Sequence, residues 1–229
     1  KRQSLVFVAA ALLSRPLKST IIKRPYKIED LLFTQNKPWL GSLIAFFFMA
    51  AKEGIAAFLI AILVFRETGS EFTLGKYLFL VSAIVIFSSY IIGKKVRRET
   101  RPRFVLAGAI IHIIAASVIV FKLDFSTLLF FGVTTAVADY LIRIPLNAHS
   151  LDLITLDAAA SDRKMEYIVA RDVPIALGRI FILIVFVLFI QYLDTSAIKA
   201  IIALISLFPF FMYWFLYAHL KTRTIPETN

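Results

Sequence analysis

Apolar residues in this chain neither alternate with polar ones in twos nor gather into the one-sided stripe of a water-soluble helix; they run almost unbroken through long segments. Six of these segments are long enough to cross a bilayer as helices: 38–65, 74–92, 104–121, 125–148, 173–193 and 197–219. About 20 mostly apolar residues are needed, because a helix rises about 1.5 Å per residue and the hydrocarbon core is about 30 Å thick. The runs are too long for core strands and lack the in-out alternation of a membrane barrel. A further apolar run, 4–13, is too short to span. It reads as the tail of a preceding helix, in keeping with a first residue, Lys1, that is not methionine. The fold class expected is an all-α membrane protein whose six transmembrane helices form one bundle, residues 38–219. A cytoplasmic or interfacial segment, 1–37, precedes it and a short tail, 220–229, follows.

Composition strengthens the lipid reading. The 229 residues are 59% hydrophobic and 18% charged, against about 45–50% and about 25% in ordinary globular domains. The formal net charge of +11 would suggest nucleic acid if read alone, but the basic residues sit in short clusters between apolar runs, which is a membrane pattern. The expected partner is a lipid bilayer and not a nucleic acid. With no cysteine in the sequence, disulfides, thiol nucleophiles and cysteine-held metals are excluded.

The positions of Lys and Arg give an orientation. Arg15, Lys18, Lys23, Arg24, Lys27 and Lys37 precede the first span, and Lys94, Lys95, Arg97, Arg98, Arg101 and Arg103 join the second to the third. Those sides are expected to be cytoplasmic. The alternate connections are short and charge-balanced, and Lys221 and Arg223 follow the last span. The expected location is therefore the cell membrane, multi-pass, with both ends in the cytoplasm. A longer cytoplasmic connection, 150–172, carries both signs of charge and is expected to hold itself together by local pairs and short helical turns.

The second-to-third connection reads Gly93-Lys-Lys-Val-Arg-Arg-Glu-Thr-Arg-Pro-Arg103. It resembles the cytoplasmic Gly-x-x-x-Asp-Arg-x-Gly-Arg-Arg signature of the major facilitator superfamily, in the weaker form of the second half of those transporters. Arg97 stands where the motif has Asp and Thr100 where it has Gly, so the conformational lock formed by that Asp is not carried over. The run Glu166-Tyr-Ile-Val-Ala-Arg-Asp-Val-Pro-Ile-Ala-Leu-Gly-Arg179 looks like the start of the eleventh helix in bacterial members, and Arg143-Ile-Pro-Leu-Asn147 like the cytoplasmic end of the tenth. The resemblance implies that the six spans are helices seven to twelve of an inner-membrane transporter. It also implies an amino-terminal six-helix half not contained in this sequence, and a small-molecule substrate held between the halves. Gly93, Lys94, Arg97, Arg98, Glu166, Arg171, Asp172 and Arg179 would then belong to a cytoplasmic gate; for Arg171 and Arg179 the alternative is snorkelling to lipid headgroups.

Ionisable residues within spans are costly and mark pathways or partners. Glu53, beside Lys52, lies near the middle of the first span. It reads either as a proton-carrying carboxylate or as half of a structural pair. Asp139 and Arg143 are four apart on the fourth span, the spacing that stacks two side chains on one helix face. An intrahelical clamp is the preferred reading, with Asp139 as a proton or cation site the alternative. His112 in the third span reads as a hydrogen-bonded interior residue with a protonation role as the alternative. Because His112, His149 and His219 make no metal-ligand spacing, no metal and no cofactor is expected.

No Gly-x-Ser-x-Gly elbow, His-Glu-x-x-His pair or Gly-x-Gly-Asp signature occurs, so an enzyme is not expected. The functional expectation is a proton-coupled exporter of small amphipathic or cationic compounds, working by alternating access. Its alternative is a six-helix half-transporter or membrane scaffold that acts as a homodimer.

Overall fold

The computed structural model describes residues 28–33, 36–156, 160–189 and 195–217. The basic residues Arg15 to Lys27, His219 and the tail 220–229 lie outside the described residues. Among the described residues every element is helical: α1 (Glu29–Leu32), α2 (Lys37–Thr68), α3 (Glu71–Lys95), a 3-10 turn (Arg98–Thr100), α4 (Arg101–Phe121), α5 (Phe125–Leu156), α6 (Ala160–Phe189), α7 (Thr195–Ser206) and α8 (Phe208–Tyr217). Five stretches are long and apolar enough to cross a membrane. These are α2, α3, α4 with its preceding 3-10 turn, α5, and Ser196–Tyr217, which is the α7–α8 pair. The expected span 173–193 falls in the second half of α6, and its last four positions lie outside the described residues.

The helix ends follow from local chemistry. Asn36 caps α2 by accepting a hydrogen bond from the Trp39 amide at 3.4 Å, and Pro38 occupies the first turn, where its missing N–H costs nothing. The helix stops at Gly69, which takes the left-handed conformation at φ 60° that a side chain disfavours. Ser70 then caps α3 through the Thr73 amide, so two residues turn the chain back on itself. Between α4 and α5, Asp124 accepts from the Thr127 amide at 2.8 Å while the Asp124 amide donates to the Thr127 hydroxyl at 3.0 Å. The Lys122 ammonium, together with that amide, holds the Asp124 carboxyl down at about 2. This cap is intact above the ordinary carboxyl range and is lost only as the pH falls toward about 2.

Two expectations change. The connection expected over 150–172 is mostly helix, because α5 continues to Leu156 and α6 begins at Ala160. Local pairs do stiffen it, as expected, with Arg163 donating to Glu166 at 2.7 Å. Pro145 and Pro174 lie inside α5 and α6. The last expected span divides at Leu207, whose carbonyl accepts from the Phe210 amide at 3.0 Å, with Pro209 in the first turn of α8.

α2 is the hub, packing on α3, α5, α6, α7 and α8, while α4 lies against α5, α7 and α8. Three apolar clusters stack along the bundle. One joins Leu31, Trp39 and Leu43 to Ile154, Tyr167 and Ala170. A second gathers Phe46, Val105, Ile142, Leu146 and Met212. The third holds Ile55, Leu63, Ile119, Leu128, Ile182 and Ile202. In each cluster the residues come from matching depths of neighbouring helices, which is what alternating up and down helices require. At the first cluster, Trp39 donates its indole N–H to the Leu31 carbonyl at 3.1 Å and meets Tyr167 edge-on at 4.8 Å.

Apolar side chains also cover the outside. Phe72, Phe79, Ile86 and Phe87 of α3 are each about two-thirds exposed or more. A helix apolar all round and packed on one side only suits a hydrocarbon solvent. Without a hydrophobic drive between helices, close backbone approach carries the packing. Gly178 of α6 lies so near the Phe47 carbonyl of α2 that a methyl group there would overlap it, whereas Gly75 of α3 has nothing within 4 Å of that position. Gly178→Leu is therefore expected to lose about 1–3 kcal/mol through overpacking. Gly75→Ala should be neutral or slightly stabilising. Thermal unfolding of the detergent-solubilised protein separates the two.

Candidate functional site

The charged side chains expected to lie mid-span do so, on three adjoining helices, but with different partners from those expected. Lys52 and Glu53 are near the middle of α2, His112 near the middle of α4, and Asp139 and Arg143 near the middle of α5. Asp139 does not pair with Arg143. It pairs with Lys52 across to α2, and its Oδ1 lies 3.0 Å from His112 Nε2. Arg143 instead donates to Glu53 at 2.5 Å. The intrahelical clamp is thus replaced by two links between α2 and α5.

The reason lies in helix geometry. Successive residues of α2 point about 100° apart, so Lys52 and Glu53 take different partners. Asp139 and Arg143 share one face of α5, and that face is turned to α2. The short Asp139 side chain meets Lys52 at the inner edge, while the longer Arg143 reaches Glu53 on the outer one. Gly108, one turn before His112, lets α4 close on α5: a methyl group there would come within 2.9 Å of the Ala138 carbonyl and 2.7 Å of Ile142. That approach is what brings His112 against Asp139.

The two links differ in setting. The side chains of Lys52 and His112 are almost fully buried, at 6% and 3% exposed, whereas Arg143 is 38% exposed. Glu53, Asp139 and Arg143 line a cavity of about 370 Å³ between α2, α3 and α5. Its apolar wall comes from Ala56, Ile60, Val81, Phe131 and Ala136, and the Tyr77 hydroxyl packs over Gly132 on its side. Arg143 also stands over the Tyr140 ring, 5.6 Å from its centroid. The wall therefore presents two carboxylates and two cations in pairs, a formally neutral polar strip in an apolar cavity.

His112 is fixed more tightly than its sequence neighbourhood suggests. Its Nδ1 lies 2.9 Å from the Gly108 carbonyl, which can only accept, so Nδ1 carries a hydrogen. Its Nε2 lies 3.0 Å from the Lys52 ammonium nitrogen as well as from Asp139. Lys52 is the member of the site whose part sequence reasoning missed. In the sequence it appears only as the neighbour of Glu53, and the signal available was that Lys52 and Arg143 cancel Glu53 and Asp139 within the first and fourth spans.

The expected gate residues are not brought together as one network. Arg98 and Arg101 reach Asp152 at the end of α5, at 3.6 and 2.7 Å. Arg97 hydrogen-bonds with Thr100 within the turn, and Lys94 contacts the Tyr90 hydroxyl and ring. Gly93 at the end of α3 faces Ile144. On α6, Glu166 pairs with Arg163, and Arg171 approaches its neighbour Asp172 at 3.4 Å while standing over Phe46. Arg179 lies apart from these, within electrostatic reach of Glu53. Among the described residues no group of three His, Asp or Glu side chains could hold a metal ion.

No protein-family model matches the sequence, and no solved structure matches it. A protein of Bacillus subtilis (strain 168), described as "Uncharacterized protein YqgE", is 34% identical over 151 residues, or 66% of this chain and 35% of that protein. The match thus spans about a third of the relative's length.

The cross-links make a specific prediction. Removing one partner of a buried ion pair leaves the other uncompensated, so Lys52→Met or Asp139→Asn alone should each cost about 3–5 kcal/mol of stability. Combining them should recover most of that loss, while Asp139→Asn with Arg143→Gln should recover none. Recovery in the Arg143 combination, and not in the Lys52 one, would restore the intrahelical clamp. Thermal unfolding of the four variants in detergent makes the comparison.

Proposed function

We propose that this chain is the carboxy-terminal six-helix half of a secondary active transporter of the major facilitator type, residing in the cell membrane with both ends in the cytoplasm. Its substrates are small amphipathic or cationic compounds, exported by alternating access in exchange for protons. The observation that carries this reading is the paired strip of Lys52, Glu53, Asp139 and Arg143 on the wall of a cavity at mid-depth of the bundle. Charges at that depth are expensive, and the ordinary reason to keep them is a pathway. Because 151 matched residues are only 35% of the relative, that protein is close to twice the length of this chain, which suits the reading.

The arrangement can carry coupling because each link joins α2 to α5. A proton or a cationic substrate arriving at Glu53 or Asp139 competes with the cation already there, and so biases how these two helices are held. Glu53, paired with the partly exposed Arg143, and Asp139 both face the cavity. His112 lies behind them.

The test uses the whole protein in everted membrane vesicles, with ethidium as the cationic probe. A pH gradient should drive ethidium transport in the natural protein. Glu53→Gln should lower that transport by about tenfold or more while ethidium binding stays measurable. Undiminished gradient-driven transport in Glu53→Gln removes it from coupling, and no ethidium movement with either form counts against the exporter reading.

A further inference from the structure

His112 touches both members of the inner ion pair through a single nitrogen, and this geometry allows only one of the two contacts at a time. With Nδ1–H committed to the Gly108 carbonyl, neutral His112 presents Nε2 as an acceptor. It can then accept from Lys52 at 3.0 Å, but it cannot donate to Asp139 at the same distance. Once Nε2 is protonated, the imidazolium donates to Asp139 and has nothing with which to accept from Lys52. Two cations then stand 3.0 Å apart around one carboxylate.

We infer that His112 Nε2 is a proton-binding site of this bundle, and that its protonation moves Asp139 from Lys52 to His112 and releases the Lys52 ammonium from the α2–α5 link. The balance is simple. One N–H bond forms at Nε2, Lys52 stays an ammonium, Asp139 stays a carboxylate, and nothing leaves. The three-residue cluster goes from neutral to a charge of +1.

The surroundings leave few alternative partners. From α2 the charged group facing His112 is Lys52, and from α5 it is Asp139. α7 and α8 also pack on α4 and bring the titratable side chains Lys199, Tyr213 and Tyr217. Released Lys52 has Glu53 as the next carboxylate, already within its electrostatic reach but shared with Arg143. The outer Glu53–Arg143 link is untouched by the proton, so α2 and α5 remain joined at one point while the other is freed. The switch thus converts a proton at a buried nitrogen into a change in how two helices are held at the cavity wall.

This inference rests on the proton-coupled reading for its purpose, but its test does not use transport. The whole protein, labelled with ¹⁵N-histidine and ¹⁵N-lysine, is placed in lipid nanodiscs and titrated by NMR across about pH 5 to 8, the range in which histidine changes charge. His112→Asn and Lys52→Met identify the two resonances by their loss. The expected result has three parts. Nδ1 of His112 is protonated throughout, Nε2 gains its proton within the range, and the Lys52 Nζ signal shifts with the same midpoint. The Lys52 shift should be lost in His112→Asn.

A proton resident on Nε2 at every pH, a titration at Nδ1, no titration at all, or a Lys52 signal indifferent to it would each overturn the inference. If His112→Asn does not fold, the shared midpoint in the natural protein still decides. If the switch titrates as described but ethidium does not move in vesicles, the proton site stands and the exporter reading falls.

Discussion

Charge inside an apolar helix bundle has little water to hold, and that constraint organises the centre of this molecule. Two cations, two carboxylates and a histidine lie at mid-depth of helices long and apolar enough to cross a bilayer, and each is in contact with a partner. The pairing sets the register of α2 against α5, because Lys52 and Glu53 can both be satisfied at once only when Asp139 and Arg143 stand opposite them. Gly108 sets the depth of α4 against α5 in the same way, since a bulkier residue would lift His112 off the pair. Elsewhere the helices are held by apolar packing, by the close approach at Gly178 and by the Arg101–Asp152 link.

The same pairs turn a structural necessity into a candidate mechanism. A strip of compensated charge is stable as long as every partner stays in place, and becomes bistable where one group has two partners to choose from. Asp139 is such a group, shared between Lys52 and His112. Glu53 and Arg143 are simpler: one link, half open to a cavity of about 370 Å³. On the proposed reading, a proton and a cationic solute would meet this wall at distinct points, the buried His112 nitrogen and the carboxylates lining the cavity, and both would act on the same two helices.

Much of the fold was legible because runs long and apolar enough to cross a bilayer also fix the length of a helix. The long apolar runs became α2, α3, α4, α5 and the α7–α8 pair, whose ends the structure fixes with the Asn36, Ser70 and Asp124 caps and the left-handed Gly69. The run to Leu156 and the break at Leu207 were not legible, since polar residues after Ala148 look like a loop until packing on α6 and α2 holds them in a helix. The site residues were legible individually, as ionisable groups within apolar runs. Their pairing was not, because i and i+4 spacing reports who shares a face and says nothing about what that face meets. Asp139 and Arg143 do share a face, and the opposite charges on α2 win both of them. The partners of Lys52 were missed for the same reason: they are 60 and 87 positions away in the chain.

The most direct test of this account is the separation between Lys52 Nζ and Asp139 Cγ in lipid bilayers, measured by solid-state NMR dipolar recoupling on protein labelled at those two atoms. The account predicts a coupling that places the ammonium within ion-pair distance of the carboxylate, with N to O under about 4 Å. An absent coupling between Lys52 and Asp139, with Asp139 found instead beside Arg143, would contradict it.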